Sequence, residues 1–375
     1  MRRLATLLLI TAVAGTLAGA QGASTKPLQI YVVDTEGGKA ALFVSPSGQT
    51  AVLDSGNAGG RDTDRLMAAV TDAGVTKIDY LITTHYHGDH VGGLQELAKR
   101  LPIAAFVDHG PTVEEREQVQ GFQQAYAELY GKAKHMVVKP GDRVPITGVD
   151  WRVVTSAGQA LKTPLPGGGK PNPTCAQFTP KDITVDPENG QSLGSVITLG
   201  QFRAIDLGDL LWNREYELMC PNNPIGTVDL YLVSHHGTDP SGSPQLVHAL
   251  QPRVAVMQNG TRKGAAPGAM TTMRSSLGLE DIWQLHWSYG AGIEQNSAGV
   301  FIANVEDAAT VASALTAPPR GSGPGGSAGG PRPAPLPPHT PAYWIKITAQ
   351  QDGSFTVSNS RNGYSKTYAA RPRAR

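Results

Sequence analysis

The sequence THYHGDH at residues 84–90 places four potential metal ligands within six positions. These ligands are His85, His87, Asp89 and His90. Neutral imidazole nitrogens and a carboxylate oxygen are donors that suit Zn²⁺ in near-tetrahedral geometry. A solvent-exposed, histidine-rich turn is the alternative interpretation, but such dense spacing makes it the weaker one. We therefore predict a metal site built around this stretch.

The flanking sequence predicts that the stretch forms a turn between a strand and a helix. Residues 78–82 have the apolar composition of a buried strand, and residues 91–100 continue as a helix. Thr112 and Glu115 predict a capping box for a helix that runs to Tyr130. Other strands are predicted at residues 28–33, 41–44, 50–53, 103–107, 151–154, 195–199, 202–205, 230–233 and 254–257. Strands that alternate with helices indicate an α/β fold.

The spacing His-x-His-x-Asp-His is the signature of the metallo-β-lactamase superfamily, and residues 28–306 resemble that family. Further motifs follow in the family's order, namely Asp54-Ser55-Gly56, Gly208-Asp209 and His235-His236-Gly237. The chain particularly resembles the extracytoplasmic domain of bacterial DNA-uptake channels. The motifs that carry this finer resemblance are Val33-Asp34 with Gly37-Gly38, Asn189-x-x-Ser192, Gly208-Asp209 and His235-His236-Gly237-Thr238.

The resemblance implies an αββα sandwich, in which two β-sheets face each other with helices outside and the metal site lies at one edge. It also implies one or two zinc ions, with Mn²⁺ as an alternative. His85 and His87 would hold the first ion, and Asp209 would bridge it to the second. The implied metal ligands, in chain order, are His85, His87, Asp89, His90, Asp209 and His235.

Two of these ligands have competitors close by in the sequence. Asp206 precedes Asp209, but the Gly-Asp pattern favours Asp209 as the bridging carboxylate. His236 follows His235, and we favour His235 because it comes soon after the predicted strand 230–233.

The resemblance also suggests which residues contact the substrate or complete the metal site. Many family members give the first ion a further histidine, but the matching place here holds Thr155 and Ser156. His109, at the end of another predicted strand, is either its substitute or a structural histidine. Ala266-Pro267 stands where the uptake-channel relatives often carry His-Pro. The candidates for substrate contact are His236, Asn259, His109 and His286, of which His286 has a packed histidine as its alternative interpretation.

The implied activity is hydrolysis by a metal-activated water. Asp89 and Asp209 are the catalytic candidates, and Asp89 could orient the water and accept its proton. We expect a phosphate ester or phosphodiester as the substrate. A carboxylic ester, lactone or β-lactam is the alternative, and a non-catalytic metal-binding module is the second alternative. The nearly complete motif set argues against that module.

Composition and the N-terminus predict where the protein acts and on what. The formal net charge of +1 gives no electrostatic footprint for nucleic acid, so we expect a small-molecule or cell-wall substrate. Arg2 and Arg3, the apolar residues 4–17 and Ala18-Gly19-Ala20 predict a cleaved signal peptide over residues 1–20. The mature protein would then be secreted or periplasmic, without a stable membrane anchor.

The remaining sequence divides the mature chain into three parts. Residues 21–316 form the main domain, and residues 317–342 are a Gly/Pro-rich linker. Residues 343–375 form a small C-terminal segment with a β-hairpin and a basic tail. Cys175 and Cys220 could pair in an oxidising compartment, and the sequence leaves this pairing open.

Overall fold

The computed structural model of the chain describes residues 26–182, 186–305 and 342–371. The predicted signal peptide at residues 1–20 lies outside the described residues, as does nearly all of the predicted linker at residues 317–342. Within the described part of the chain, no helix is long and apolar enough to cross a membrane.

Strands and helices alternate along the described residues. The strands are β1 (Leu28–Val32), β2 (Ala41–Val44), β3 (Thr50–Leu53), β4 (Tyr80–Ile82), β5 (Ala105–Asp108), β6 (Lys134–Val137), β7 (Arg143–Val144), β8 (Asp150–Ser156), β9 (Gln159–Ala160), β10 (Lys170–Pro171), β11 (Gly194–Leu199), β12 (Phe202–Asp206), β13 (Asn222–Asn223), β14 (Leu230–Leu232), β15 (Val254–Met257), β16 (Asp281–His286), β17 (Ile302–Asn304), β18 (Ile345–Ala349), β19 (Phe355–Asn359) and β20 (Ser365–Tyr368). The α-helices are α1 (Arg61–Asp72), α2 (Gly88–Val91), α3 (Leu94–Arg100), α4 (Glu117–Tyr130), α5 (Trp212–Met219), α6 (Pro244–Leu250) and α7 (Pro267–Arg274).

Two large sheets carry most of these strands. The first has the order β20-β19-β18-β1-β2-β3-β4-β5-β6, and the second has the order β17-β16-β15-β14-β12-β11-β8-β7, with β9 paired to β8. Neighbours are parallel from β3 to β6 in the first sheet. They are also parallel from β12 through β14, β15 and β16 to β17 in the second. Each sheet therefore has an edge at which the carboxyl ends of several parallel strands meet.

The two sheets pack face to face through side chains that alternate along the strands. Ile30 and Val32 of β1 join Trp151 and Val153 of β8 in one buried apolar cluster. Burying a large aliphatic side chain in such a cluster stabilises the fold by roughly 1.5–3 kcal/mol. The outer face of the first sheet packs on α1, α3 and α4, and that of the second packs on α5, α6 and α7. The predicted αββα sandwich is confirmed.

The C-terminal segment contributes three strands, one more than the predicted hairpin. Strand β18 pairs antiparallel with β1, and β19 and β20 extend the same sheet. Ile345, Ile347, Phe355 and Val357 are buried in the cluster between the sheets. The segment is therefore part of the sandwich.

Three details outside the sheets differ from the sequence analysis or complete it. Cys175 and Cys220 form a disulfide with a Cα–Cα distance of 5.8 Å. Helix α4 begins at Glu117 and not beside Thr112, whose hydroxyl donates to Glu188 Oε2 at 2.5 Å and accepts from the Glu114 N–H at 3.2 Å. Residues 157–182 contain β9, β10 and a short 3-10 turn at Pro173–Gln177.

Candidate metal centre

One edge of the sandwich collects the polar turns that follow the parallel strands. Asp54 follows β3, and residues 83–90 follow β4. In the other sheet, Asp209 follows β12, and His235 and His236 follow β14. Because the carboxyl ends of neighbouring parallel strands lie at the same edge of a sheet, these side chains come together.

Two overlapping groups of donor atoms form at this edge. His85, His90 and Asp209 make the first group, and Asp89, His90 and His236 make the second. Within each group the candidate ligand atoms all lie within 4.8 Å of one another. His90 Nε2 is 3.4 Å from Asp209 Oδ2, which is itself 3.3 Å from His236 Nε2. His90 therefore lies between the two groups.

A buried carboxylate fixes the orientation of the His90 ring. His90 Nδ1 is 2.8 Å from Asp54 Oδ2, and the Thr84 hydroxyl donates to the same oxygen at 2.7 Å. This leaves His90 Nε2 pointing at the donor cluster. Burial alone would lower the pKa of His90, but Asp209, Asp54 and Asp89 together raise this pKa to about 10. The cluster is thus electronegative enough to hold a proton on a buried imidazole, which is a property expected of a cation site.

Two buried donor atoms of the first group have no hydrogen-bond partner among the described residues. They are His85 Nε2 and Asp209 Oδ1. Burial, with His90 and His87 close by, holds the pKa of His85 well below its ordinary value, so its ring is neutral and keeps a free lone pair. Buried polar atoms are rarely left unpaired, because each costs free energy. A divalent cation would satisfy both atoms, so the residues present fit the metal that the sequence predicts.

His87 lies beside the cluster but outside both donor groups. Its ring centroid is 4.7 Å from that of His85. Its Nε2 atom is 2.9 Å from Glu114 Oε2 and 3.0 Å from Arg116 Nη2, and Arg116 also pairs with Glu114. Glu114 therefore pairs with the Nε2 atom of this predicted ligand, and His87 belongs to neither donor group.

Asp89 belongs to the second group and also contacts a cation from a distant loop. Lys263 Nζ lies 2.5 Å from Asp89 Oδ2. The same oxygen is 3.5 Å from His236 Nε2 and 3.7 Å from His90 Nε2. Burial opposes ionisation of Asp89, but Lys263 and the two histidines hold the pKa of this carboxyl well below its ordinary value.

The structure brings His236, and not the preferred His235, into the second group. Both residues adopt left-handed backbone conformations, with φ of 58° for His236 and 51° for His235. His236 is buried, and its Nδ1 atom lies 3.1 Å from the Gln258 carbonyl, which leaves Nε2 directed at the cluster. His235 Nε2 is 3.5 Å from Asp209 Oδ2, and its Nδ1 atom is 3.2 Å from Ser241 Oγ. The preference for His235 rested on its closeness to the strand, but both residues have a left-handed backbone after that strand.

Asp206 and Asp209 have different partners in the structure, because Asp206 forms a buried ion pair with Lys39. Asp206 lies 2.7 Å from the ammonium of Lys39, and both side chains are buried. Asp206 also accepts a hydrogen bond from the backbone N–H of Gly208 at 2.8 Å. Asp209 instead faces the histidines, and its backbone N–H donates a hydrogen bond to Ser192 Oγ at 3.2 Å. Asp209, and not Asp206, therefore belongs to a donor group.

The structure does not bring three other predicted site residues into either donor group. His109 Nε2 is 2.9 Å from Glu188 Oε1. Asn259 donates from Nδ2 to the carbonyl of His286 at 2.8 Å. His286 Nε2 lies 2.5 Å from Asp34 Oδ1. All three side chains join neighbouring loops of the site edge to one another.

The place of the missing further histidine is filled by two small hydroxyl residues. Thr155 donates to the carbonyl of Ser192 at 3.0 Å, and Ser156 donates to the carbonyl of Val138 at 2.6 Å. Neither side chain contains a nitrogen atom that could replace a histidine ligand. Glu114 and Lys263, by contrast, touch predicted ligands and had no sequence signal, because they reach the site from separate loops.

Comparison with known proteins finds a family match over part of the chain. Residues 34–178 match the family model of the metallo-β-lactamase superfamily. This match supports a relationship between the chain and the metallo-β-lactamase superfamily. The matched range contains the first motif and Asp54 but ends before the Gly208-Asp209 and His235-His236 motifs. The finer resemblance to the uptake-channel domain stays a prediction.

Two curated relatives align with short parts of the chain. The hydroxyacylglutathione hydrolase of Klebsiella pneumoniae is 32% identical over 81 residues, which are 22% of this chain and 26% of that protein. The coenzyme F420H(2) oxidase of Methanothermobacter marburgensis is 37% identical over 89 residues, 23% of this chain and 20% of that protein. The chain thus aligns with about a quarter or less of these relatives. Since one is a hydrolase and the other an oxidase, relationship alone does not set the reaction.

Similar solved structures are more distant in sequence. A diphosphatase from the PhnP family has a TM-score of 0.34 and 12% identity, covering 62% of this chain and 87% of that one. The diiron β-hydroxylase CmlA from Streptomyces venezuelae has a TM-score of 0.36 and 15% identity, covering 63% and 45%.

Proposed function

We propose that this protein is a metal-dependent hydrolase of phosphate esters or phosphodiesters. The observation that carries the proposal is the pair of donor groups that share His90 at the sheet edge. Imidazole and carboxylate donors in this arrangement suit zinc, with Mn²⁺ as the alternative. The nearly complete ligand set supports an enzyme over a non-catalytic metal-binding module.

The chemistry of each donor suggests how two ions would be shared. A neutral imidazole offers one lone pair at Nε2, so His90 can serve only one ion. A carboxylate offers two oxygens, and Asp209 has Oδ1 unpaired while Oδ2 faces the histidines. We therefore assign Asp209 as the bridge, His85 to the first ion, and Asp89, His90 and His236 to the second. His87 would join the first ion after its contact with Glu114 opens.

Bound divalent ions would lower the pKa of a coordinated water and stabilise charge on a phosphoryl oxygen. The protein's own residues would then position the reactants. Asp89, ionised and at the rim of the cluster, can accept a proton from the attacking water. The contact between Asp54 and His90 keeps the imidazole in one orientation, so that it need not rearrange during the reaction.

Cations beside the cluster favour an anionic substrate. Arg116 and Lys263 flank opposite members of the ligand stretch, His87 and Asp89, and both cations are partly exposed to solvent. Guanidinium and ammonium groups are common partners of phosphate oxygens. This supports a phosphate ester over a neutral carboxylic ester. The formal net charge of +1 favours a small or cell-wall substrate over a long nucleic acid.

The second candidate function is hydrolysis of a carboxylic ester, lactone or β-lactam. The observation that favours it is the segment 32% identical to a hydroxyacylglutathione hydrolase. The same metal chemistry would serve, because a developing oxyanion forms in both reactions.

We also propose that the protein acts outside the cytoplasm. The disulfide between Cys175 and Cys220 supports an oxidising compartment, since such bonds are rare in the cytosol. The predicted signal peptide at residues 1–20 points the same way. Fractionation of the native host, with mass determination of the mature N-terminus, tests both.

A substrate panel with the zinc- or manganese-loaded protein tests the activity. The panel comprises bis-nitrophenyl phosphate, nitrophenyl phosphate, a nitrophenyl ester, a lactone and nitrocefin. We expect the phosphate compounds to be hydrolysed, with loss of the activity in His85→Ala and retention in His248→Ala, a control at a histidine remote from the cluster. Turnover confined to the ester, lactone or nitrocefin would favour the second candidate. A protein that binds zinc but turns over no compound would favour a binding module.

A further inference from the structure

The ammonium of Lys263 lies beside the second donor group, where both a metal ion and a substrate would bind. Its Nζ atom lies 2.5 Å from Asp89 Oδ2, an oxygen of the second donor group. The side chain is 31% exposed, so it reaches the carboxylate from the solvent side. Lys263 comes from the loop between β15 and α7, far in sequence from Asp89.

The loop that carries Lys263 is fixed by close backbone packing on both sides. The Gly260 N–H donates to the Lys263 carbonyl at 2.9 Å. A Cβ at Gly37 would lie 3.1 Å from the Lys263 Cβ, so the first loop of the chain packs against this residue. Gly264 has φ of 89°, and a Cβ there would lie 2.0 Å from the carbonyl oxygen of His236. The backbone beside Lys263 is therefore packed against the ligand segment that contains His236, and its partly exposed side chain extends to Asp89.

A metal ion and the ammonium would compete for the same carboxylate. Both are cations, and Asp89 Oδ2 faces His236 and His90 as well as Lys263. Like charges at this separation repel strongly in a partly buried site. Entry of a divalent ion at Asp89 would release the ammonium, which would remain tethered at the rim of the site.

We propose that Lys263 is an exchangeable cation that pairs with Asp89 in the metal-free protein and with an anionic oxygen of the substrate once metal is bound. The inference rests on the proposed function and adds the residue that recognises the phosphate. Lys263 acts as a positioning residue in the metal-free protein and as a substrate contact in the metal-loaded protein. The contact with Lys263 also keeps the Asp89 carboxylate paired in the metal-free protein.

The test uses Lys263→Met, which keeps the length of the stem and removes the charge, and Lys263→Arg, which keeps the charge. Arg262→Met removes the neighbouring cation of the same loop and serves as the control. Two quantities are measured for each protein, namely the Kd for Zn²⁺ by chelator competition and the Kd for inorganic phosphate on the zinc-loaded protein by calorimetry. Circular dichroism of each metal-free variant checks the fold.

We expect Lys263→Met to bind Zn²⁺ several-fold more tightly, because the competing cation is gone, and to bind phosphate at least tenfold more weakly. Lys263→Arg should restore phosphate binding to within about threefold of wild type, and Arg262→Met should change neither constant more than about twofold. Weaker Zn²⁺ binding in Lys263→Met would show a merely structural lysine and overturn the proposal. So would phosphate binding that is the same in Lys263→Met and wild type, or absent from the zinc-loaded wild type. A wild-type protein that binds no metal would instead overturn the proposed function as a whole.

Discussion

The Nε2 atoms of His90 and His236 face each other at 3.3 Å across the donor cluster. Asp54 anchors His90 from behind through Nδ1, and the Gln258 carbonyl anchors His236 in the same way. Burial lowers the pKa of His90, but the surrounding carboxylates raise it to about 10, so this part of the cluster favours positive charge. A metal ion held by both Nε2 atoms would supply that charge.

This relationship predicts different results for the two late histidines. His236→Ala should lower the bound zinc per chain by about one ion, because a ligand of the second group is removed. His235→Ala should retain the metal, since His235 belongs to neither donor group. Elemental analysis after dialysis against a weak chelator measures both. Loss of metal in His235→Ala with retention in His236→Ala would reverse the assignment.

The two aspartates after β12 should also behave differently. Asp209→Ala removes the proposed bridge, so we expect metal and activity to be lost together, with turnover lower by roughly a hundredfold or more. Asp206→Ala should instead leave Lys39 buried without a partner and destabilise the fold by roughly 3–5 kcal/mol. Denaturant unfolding and metal analysis separate the two outcomes. Equal metal loss in both variants at a temperature where both are folded would contradict the distinction.

The disulfide should contribute stability without contributing to metal binding. It closes a loop with a sequence separation of 45, and neither cysteine belongs to a donor group. The double variant Cys175→Ser/Cys220→Ser should lose roughly 2–4 kcal/mol of unfolding free energy. Its zinc content should equal that of the wild type. A double variant as stable as the wild type, measured beside a reduced and alkylated sample, would refute this prediction.

Glu215 should make the fold less stable as the pH rises toward neutrality. Burial raises the pKa of this carboxyl to about 7, although the N–H groups of Gly242 and Ser243 donate to it. Between its ordinary pKa and about 7, the folded protein keeps a proton that the unfolded chain releases. The free energy of unfolding should therefore fall with rising pH in this window, by about 1–3 kcal/mol from this residue.

Glu215→Gln and the half-exposed Glu217→Gln on the same helix form the matched pair for this test. Urea unfolding from pH 4 to pH 8 should show a shallower decline in Glu215→Gln than in wild type, whatever its absolute stability. Glu217→Gln should follow the wild-type slope. Parallel profiles for Glu215→Gln and wild type would assign the pH dependence elsewhere.

The sequence could predict those parts of the site that depend on local order. His85, Asp89 and His90 lie within one turn after a strand, so their spacing alone brings them together. The alternation of strands and helices indicates an α/β fold, and the family resemblance implies the αββα sandwich. The sequence analysis favoured His235, whereas the donor group contains His236, because the left-handed backbone of both residues has no signal in the sequence.

Contacts between separate loops were also beyond the reach of sequence patterns. Glu114 contacts His87, and Lys263 contacts Asp89. Neither Glu114 nor Lys263 lies in a sequence motif that would predict these contacts. The third C-terminal strand, β20, was missed because Ser365–Tyr368 is polar and lies at the sheet edge. Such elements gain their place from tertiary pairing and not from intrinsic propensity.

The pairing of β1 with β18 has a consequence for how the protein is made. Leu28 of β1 lies opposite Ala349 of β18. β1 is made early in translation, so it cannot form this pairing until β18 has been synthesised. A ribosome must therefore deliver nearly the whole chain before the first sheet can close, and closing so long a loop is slow. Until then β1 offers an open edge to other chains, which is the usual starting point for aggregation. Chaperones that shield nascent strands should matter more for this protein than for one whose sheets close in order of synthesis.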